Sequence, residues 1–217
     1  MVSVPDSAGD DIGRYSSLGF DSAGNAGIGY YDLTTRQLRF AQQSGSEWDI
    51  AVVDWVGDWV EGEHISGYCS LQFDCLDNPA MSYYDATNGD LKYAHWSGTG
   101  WELQVVESEG QAGMYTSLGF DDSKRPAISY HDGTIGALKL ARWNGEAWNV
   151  ETIDDLQAAG HLTSLEFDRC GTPAISYDSA ITGDLKYASP ANLKPDQPVN
   201  QSPAEGATYV GLAPTLE

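Results

Sequence analysis

A motif of five residues recurs four times along the chain and constrains its fold more than any other feature. It reads SLGFD from Ser17, SLQFD from Ser70, SLGFD from Ser117 and SLEFD from Ser164, with spacings of 53, 47 and 47 residues. Each copy continues with a polar turn, a segment such as AISYHD and a segment such as LKYA, and the first three copies add a segment led by tryptophan. The chain is therefore built from four copies of one supersecondary unit.

Each copy consists of short segments rich in β-branched and aromatic residues, separated by turns rich in Gly, Pro, Asn and Asp. This arrangement is typical of a four-stranded antiparallel meander, and a period of about 50 residues is typical of one blade of a β-propeller. We therefore predict an all-β, four-bladed β-propeller over residues 1–189, with blades near 13–60, 61–108, 109–155 and 156–189.

The fourth copy lacks the outer strand that tryptophan begins in the other three. Residues 2–6 stand at the matching distance before the first copy, and we expect this N-terminal strand to complete the last blade, because ring closure removes an exposed strand edge. The donated strand has no Trp, so a fragment of a larger propeller is the alternative. Residues 190–217 carry no blade pattern and are rich in Pro, Asn and Ala, as in a linker.

The repeat resembles secreted bacterial propeller repeats of the pattern SL.FD..G.PAISYYD...GDLKYA...G..W, and the match spans residues 2–189. The segment NQSPAEGATYVGLAPTLE at residues 200–217 resembles the start of a fibronectin type III or immunoglobulin-like domain, which follows the linker. These resemblances imply a modular bacterial protein that is extracellular or lies at the cell surface. They imply no particular function, because propellers carry many unrelated activities.

The charge of the chain excludes several classes of partner. It has 11 Lys and Arg against 32 Asp and Glu, for a formal net charge of −21, which excludes a phosphate-binding nucleic-acid surface and opposes binding to anionic membranes. No apolar run is long enough to insert into a membrane. Neutral sugars, cations and protein partners remain as ligands, and we expect a monomer.

One face of a propeller carries the loops between the second and third strands and between blades, and we expect a ligand there. Aromatic rings stack on sugars, and carboxylates accept hydrogen bonds from hydroxyl groups. The alternative is that these repeated side chains serve the packing and turns of the blade itself. The strand ends at this face carry the candidate residues Tyr15, Tyr68, Tyr115, Tyr31, Tyr84, His131 and Asp85.

The loop after the first blade is six residues longer than its counterparts. Long loops on a rigid scaffold often carry function. Trp55 and Trp59 are predicted to form a stacking platform there, with His64 as a polar neighbour. The alternative is that both Trp side chains cap the packing between the first two blades.

Metal and enzyme chemistry have weak support in the sequence. The three cysteines and four histidines show no zinc spacing, and we expect no cofactor, although Asp85, Asn88 and Asp90 in one turn leave calcium as an alternative. The sialidase turn SxDxGxTW and the motifs GxSxG and HExxH do not occur. We therefore expect a non-catalytic module that binds carbohydrate or a protein, with a glycoside hydrolase or lyase, or a unit of a surface assembly or fibre, as alternatives.

The order ISYYD...GDLKYA also resembles the blades of fucose-binding propeller lectins. Those lectins hold the sugar with Arg on the second strand and Glu on the third. The matching positions here are Ser or Gly and mostly Lys or Arg. The resemblance therefore implies a lectin-like module without implying fucose specificity.

Overall fold

The computed structural model describes residues 6, 11–57, 68–156 and 158–189, which form β-strands joined by turns. The strands are β1 (Ile12–Phe20), β2 (Ala26–Asp32), β3 (Gln37–Ser44), β4 (Glu47–Trp55), β5 (Cys69–Phe73), β6 (Pro79–Asp85), β7 (Asp90–Trp96), β8 (Trp101–Glu107), β9 (Ala112–Phe120), β10 (Pro126–Asp132), β11 (Ala137–Trp143), β12 (Trp148–Asp154), β13 (Ala159–Phe167), β14 (Pro173–Ser179) and β15 (Leu185–Ala188).

These strands form four antiparallel meanders, each of which is one blade. Blade 1 is β1–β4, blade 2 is β5–β8, blade 3 is β9–β12, and blade 4 is β13–β15, with three strands in the described part of the chain. The first strands of neighbouring blades pack together in chain order, β1 with β5, β5 with β9 and β9 with β13. The predicted all-β, four-bladed propeller is confirmed. The donation of residues 2–6 to blade 4 lies, apart from Asp6, outside the described residues, as does the linker at 190–217.

The core of the molecule lies between the blades. The second strand of each inner blade is buried on both faces, so PAMSYYD in β6 has no exposed residue. Leu71, Leu118 and Leu165, at one position of the first strands, are 2%, 1% and 3% exposed. Blade 1 makes room for blade 2 with glycine, since a Cβ at Gly29 would lie 2.3 Å from Cε of Met81. The hydrophobic repeat therefore stabilises contacts between blades.

A polar contact also joins each blade to the next. Asp54, at the end of β4, accepts hydrogen bonds from Tyr83 OH at 2.7 Å and from Lys92 Nζ at 2.9 Å. Lys92 Nζ also lies 2.8 Å from Asp85 Oδ2 in its own blade. We call this contact of acid, Tyr and Lys the interblade clasp. The equivalent groups in the other two interfaces are Glu107 with Tyr130 and Lys139, and Asp154 with Tyr177 and Lys186. Asp6 contacts Tyr30 and Arg39 of blade 1 in the same way, with an arginine in place of the lysine.

Candidate functional site

The predicted tyrosines of the first strands meet in one aromatic cluster. The ring centroids of Tyr15 and Tyr68 are 5.4 Å apart, and those of Tyr68 and Tyr115 are 4.3 Å apart. Tyr115 stacks on His161 at 4.6 Å, and His161 contacts His131 at 4.4 Å. We call these five residues the central cluster. His161, in β13, was not predicted as a site residue, because nothing in the sequence places it beside His131.

The backbone is strained within or next to the central cluster in three blades. Tyr15, Tyr115 and Leu162 have φ angles of 52°, 53° and 49°, in the left-handed region that side chains with a Cβ rarely adopt. Each of these residues lies where the pairing of the first and second strands of its blade is irregular. Strain is often kept at functional sites, but its recurrence at one register position favours a bulge built into the blade.

His131 has an internal hydrogen-bond partner. Its Nδ1 lies 2.7 Å from the carbonyl oxygen of Ala159, so Nδ1 carries the proton and donates it. Burial lowers the pKa of His131, which keeps the imidazole neutral at pH 7. His131 therefore joins blades 3 and 4 through a neutral ring.

Three other predicted residues are buried in the blades. Tyr31 is 1% exposed, and its hydroxyl donates to the carbonyl of Tyr84 at 3.0 Å. Tyr84 is 4% exposed. Asp85 is 1% exposed and accepts hydrogen bonds from the Thr87 amide and the Asn88 side chain in the turn after β6. These side chains therefore serve the packing and turn of the blade and offer little surface to a ligand.

The predicted platform after blade 1 is described in part. Trp55, at the end of β4, is 52% exposed, whereas Trp59 and His64 lie outside the described residues, so the platform stays a prediction. Within residues 6, 11–57, 68–156 and 158–189, no group of three or more His, Cys, Asp or Glu is arranged to hold a metal ion. In the same ranges there is no helix long and apolar enough to cross a membrane.

Clefts open between neighbouring blades on the face opposite to the predicted one. They are bounded by the turns that join the first strand to the second and the third strand to the fourth. Cleft 1–2, between blades 1 and 2, has a volume of 410 Å³. Cleft 2–3 has a volume of 350 Å³, and cleft 3–4 a volume of 280 Å³. The first two volumes lie in the range of small-molecule sites.

Cleft 1–2 combines aromatic rings with uncharged and acidic groups. Trp96 and Trp101 meet edge to face with centroids 5.8 Å apart, and Trp101 packs on Phe40 at 5.5 Å. No lysine or arginine is among the residues that line this cleft in the described structure. Its polar side chains are Gln42, Asp49, Asp77 and Asn78.

Cleft 2–3 repeats the tryptophan pair in a more charged setting. Trp143 and Trp148 have centroids 5.6 Å apart. His95 Nε2 lies 2.9 Å from Asp74 Oδ2. Burial would raise the pKa of Asp74, but hydrogen bonds from His95 and from Asn78 outweigh it, and the pKa is lowered. The other charged residues of this cleft are Glu102, Lys124 and Arg125.

The two clefts differ at one position of the outer strand. In cleft 2–3 the indole Nε1 of Trp148 donates to Gln104 Oε1 at 2.9 Å. Ala51 stands at the same register position of blade 1, because Ala51 pairs with Phe40 as Gln104 pairs with Tyr93. In cleft 1–2 the equivalent nitrogen, Trp101 Nε1, is buried and has no hydrogen-bond partner among the described residues. Such a donor costs about 1–3 kcal/mol when it stays unpaired.

The tryptophans of both clefts are visible in the sequence as the segments YAHWSGTGW and LARWNGEAW. In the sequence these residues predict only where the outer strand of each blade begins. Their role in a cleft depends on packing between one blade and the next, which the spacing of a single repeat does not contain.

No protein-family model and no curated protein matches the chain. Solved structures do match. A variant of AofleA from Arthrobotrys oligospora is 17% identical with a TM-score of 0.56, and the match covers 82% of this chain and 57% of that one. A gluconolactonase from Xanthomonas campestris is 10% identical with a TM-score of 0.50, over 80% and 60% of the two chains. The intramolecular trans-sialidase from Ruminococcus gnavus is 16% identical with a TM-score of 0.50, over 77% and 40%.

This chain therefore spans between 40% and 60% of the length of these neighbours. At these identities the similarity shows the propeller fold alone. It also corrects the expectation of a non-catalytic module, because two of the three neighbours are named as enzymes. The same fold carries catalysis as well as binding, and missing motifs of other enzyme folds do not exclude an enzyme.

Proposed function

We propose that the protein binds carbohydrate in its interblade clefts, with cleft 1–2 as the principal site. The observation that carries this proposal is the Trp96 and Trp101 pair in a 410 Å³ cleft lined by amide and carboxylate groups. An indole face stacks on the apolar face of a sugar ring. Amide and carboxylate oxygens accept hydrogen bonds from sugar hydroxyl groups, and the amide nitrogens of Gln42 and Asn78 can donate.

The charge of the site narrows the class of ligand. Cleft 1–2 is lined by Asp49 and Asp77 without a lysine or arginine, and the whole chain has a formal net charge of −21. An acidic sugar would therefore be repelled, and no cation of the lining would offset the repulsion. A neutral or amino sugar is the class that fits.

Trp101 Nε1 supports cleft 1–2 over cleft 2–3. This buried donor has no hydrogen-bond partner in the described part of the chain, and the side chain at the matching position, Ala51, is shorter than Gln104 of cleft 2–3. A ligand hydroxyl over Ala51 would accept the hydrogen bond after a small movement of the indole. Binding would then satisfy a donor that the free protein leaves unpaired.

Repetition of the cleft supports multivalent binding. Two clefts with tryptophan pairs on one rigid scaffold would let the module hold two residues of one glycan, which raises the overall affinity without new contacts. We also propose that the module acts as an extracellular or cell-surface part of a larger bacterial protein.

The test is a glycan array followed by titration calorimetry of each hit, with NMR spectra of the glycan over time to detect turnover. Trp96→Ala should weaken binding about tenfold, which corresponds to about 1.4 kcal/mol. Trp143→Ala, the matched change in cleft 2–3, should weaken it less. Absence of any glycan hit, or equal losses in the two variants, would refute cleft 1–2 as the principal carbohydrate site.

A further inference from the structure

The outward face of blade 1 exposes apolar side chains that the other blades bury. Leu18 is 60% exposed, whereas Leu71, Leu118 and Leu165 at the same position are at most 3% exposed. Phe20, two residues further along β1, is also 60% exposed. Each buried equivalent of Leu18 is covered by the blade before it in the chain. The face of blade 1 therefore has the composition of an interblade contact without a blade against it in the described structure.

The outward face of blade 4 has the complementary character. Leu185 is 84% exposed and Tyr187 is 62% exposed. The leucines that match Leu185 in blades 1 to 3 are fully buried, and the aromatic or leucine side chains that match Tyr187 are at most 6% exposed. These matching residues are Leu38, Leu91, Leu138, Phe40, Tyr93 and Leu140. In blades 1 to 3 they are covered by the blade that follows in the chain.

A hydrogen bond that recurs between neighbouring blades has its unused donor and acceptor on the two exposed faces. The backbone amide of each buried leucine of a first strand donates to a serine hydroxyl of the preceding blade. Leu71 donates to Ser17 Oγ in this way at 2.9 Å. The bond recurs at 3.0 Å from Leu118 to Ser70 and from Leu165 to Ser117. The next members of the series are Ser164, on blade 4, and the amide of Leu18, on blade 1.

Aromatic contacts extend the series as well. Trp101 packs on Phe40 of the preceding blade at 5.5 Å, and Trp148 packs on Tyr93 at 5.3 Å. The next pair is Trp48, on blade 1, with Tyr187, on blade 4. The exposed face of blade 4 thus carries the equivalents of Ser17 and Phe40, and the exposed face of blade 1 carries the equivalents of Leu71 and Trp101, which are partners in the interface between blades 1 and 2.

Within the described residues, β1 and β13 do not pack together as the other first strands do. Asp6 completes the clasp on Tyr30 and Arg39, where an outer-strand acid of a preceding blade stands in every other interface. Blade 4 has three strands in the described structure. If blade 4 of another copy packed on blade 1, Asp6 would supply the acid that the outer strand of the preceding blade supplies in the internal interfaces.

We propose that a second copy of this chain covers these faces, with blade 4 of one copy packed on blade 1 of the next. The two faces carry the matching halves of an internal interface, and within the described residues β1 and β13 do not pack on each other. Two of the solved structures that match this chain are longer than it is, since the match covers 57% of one and 60% of the other. A head-to-tail contact between unlike faces either closes a ring or continues as an open chain.

The first experiment measures the mass of the protein in solution. Light scattering and sedimentation velocity over a wide concentration range should give twice the 23.4 kDa of the chain, or a series of larger species that grows with concentration. A monomer at every concentration would refute the proposal. The experiment needs no glycan, so its failure would leave the proposed carbohydrate site untouched.

The second experiment tests the head-to-tail order. Leu18→Glu on blade 1 and Tyr187→Glu on blade 4 should each abolish assembly, because each places a charge in the apolar contact. A mixture of the two variants keeps one intact pair of faces and should form a complex of one copy of each. Leu76→Glu, at a turn residue that is 76% exposed, is the matched control and should assemble like the unaltered chain.

Urea unfolding of each variant shows whether it is folded, and the substituted leucine and tyrosine are exposed in the described chain. Persistence of the assembly in both single variants would contradict the proposed faces. So would a mixture that stays monomeric while each variant is folded.

Discussion

Cleft 1–2 and cleft 2–3 contain the same repeated side chains but differ in the hydrogen bonding of one tryptophan. Both carry a tryptophan pair, and an interblade clasp joins the blades beside each one. In cleft 2–3, Gln104 accepts the hydrogen bond of the indole of Trp148. In cleft 1–2, Ala51 has that position, and the indole nitrogen of Trp101 has no hydrogen-bond partner among the residues that the structure describes. The repeated parts therefore stabilise the packing of one blade on the next, and the position that departs from the repeat is the one at which we propose the ligand binds.

A second difference lies on the third strand. His95 in cleft 2–3 binds Asp74, whereas Gln42 has the matching position in cleft 1–2, since Gln42 pairs with Gly27 as His95 pairs with Ala80. The amide of Gln42 can donate and accept without a charge. Cleft 1–2 is also the larger of the pair and has fewer charged side chains in its lining.

The largest predicted effect is a loss of stability at high pH, and it tests the interblade clasp that the interfaces have in common. Burial, and then the charge of Asp54, raises the pKa of Tyr83, and burial followed by Glu107 does the same for Tyr130. A raised pKa in the folded state means that stability is complete below the unfolded value of about 10 and falls as the pH rises above it, by about 1.4 kcal/mol per tyrosine per pH unit. Urea unfolding should therefore show a loss of several kcal/mol between about pH 9 and pH 11.

Tyr83→Phe supplies the control for this prediction. The variant removes one titrating group and keeps the contact between Asp54 and Lys92, so the slope of stability against pH should fall by the share of one tyrosine. An unfolding free energy that does not change up to about pH 11 would show that the clasp does not control stability.

The fold could be predicted from sequence because the repeat determines the strands and their order within each blade. The central cluster was predicted in part, since Tyr15, Tyr68 and Tyr115 repeat at one strand position. The clasp was not, because it joins Asp54 to Lys92 across 38 residues, and each residue alone reads as an ordinary strand residue. The clefts were missed for the same reason, since neither wall of a cleft lies within one blade.

The next prediction tests the position at which the clefts differ, Ala51 in cleft 1–2 and Gln104 in cleft 2–3. Ala51→Gln should place a side-chain oxygen near Trp101 Nε1 and fill cleft 1–2 as Gln104 fills cleft 2–3. We expect stability to rise by about 1 kcal/mol, because a buried donor gains a partner. Glycan affinity should fall at least about tenfold, because the space for the ligand is lost. Urea unfolding and calorimetry measure the two quantities on the same sample.

Opposite signs of these two changes are the diagnostic result. A variant that loses both stability and binding would show that glutamine disturbs the packing of blades 1 and 2. A variant that gains stability and keeps full affinity would place the ligand away from Ala51.

The smallest effect comes from the reverse change, Gln104→Ala in cleft 2–3. It should cost only about 0.5 kcal/mol, because Gln104 is exposed and water can replace its oxygen. The enlarged cleft 2–3 should then bind a second glycan weakly, which calorimetry would detect as a higher stoichiometry. Binding of a second glycan would mean that the space at this position selects the site. An unchanged stoichiometry would instead assign the selection to the pair of Asp74 and His95, which Gln104→Ala leaves in place.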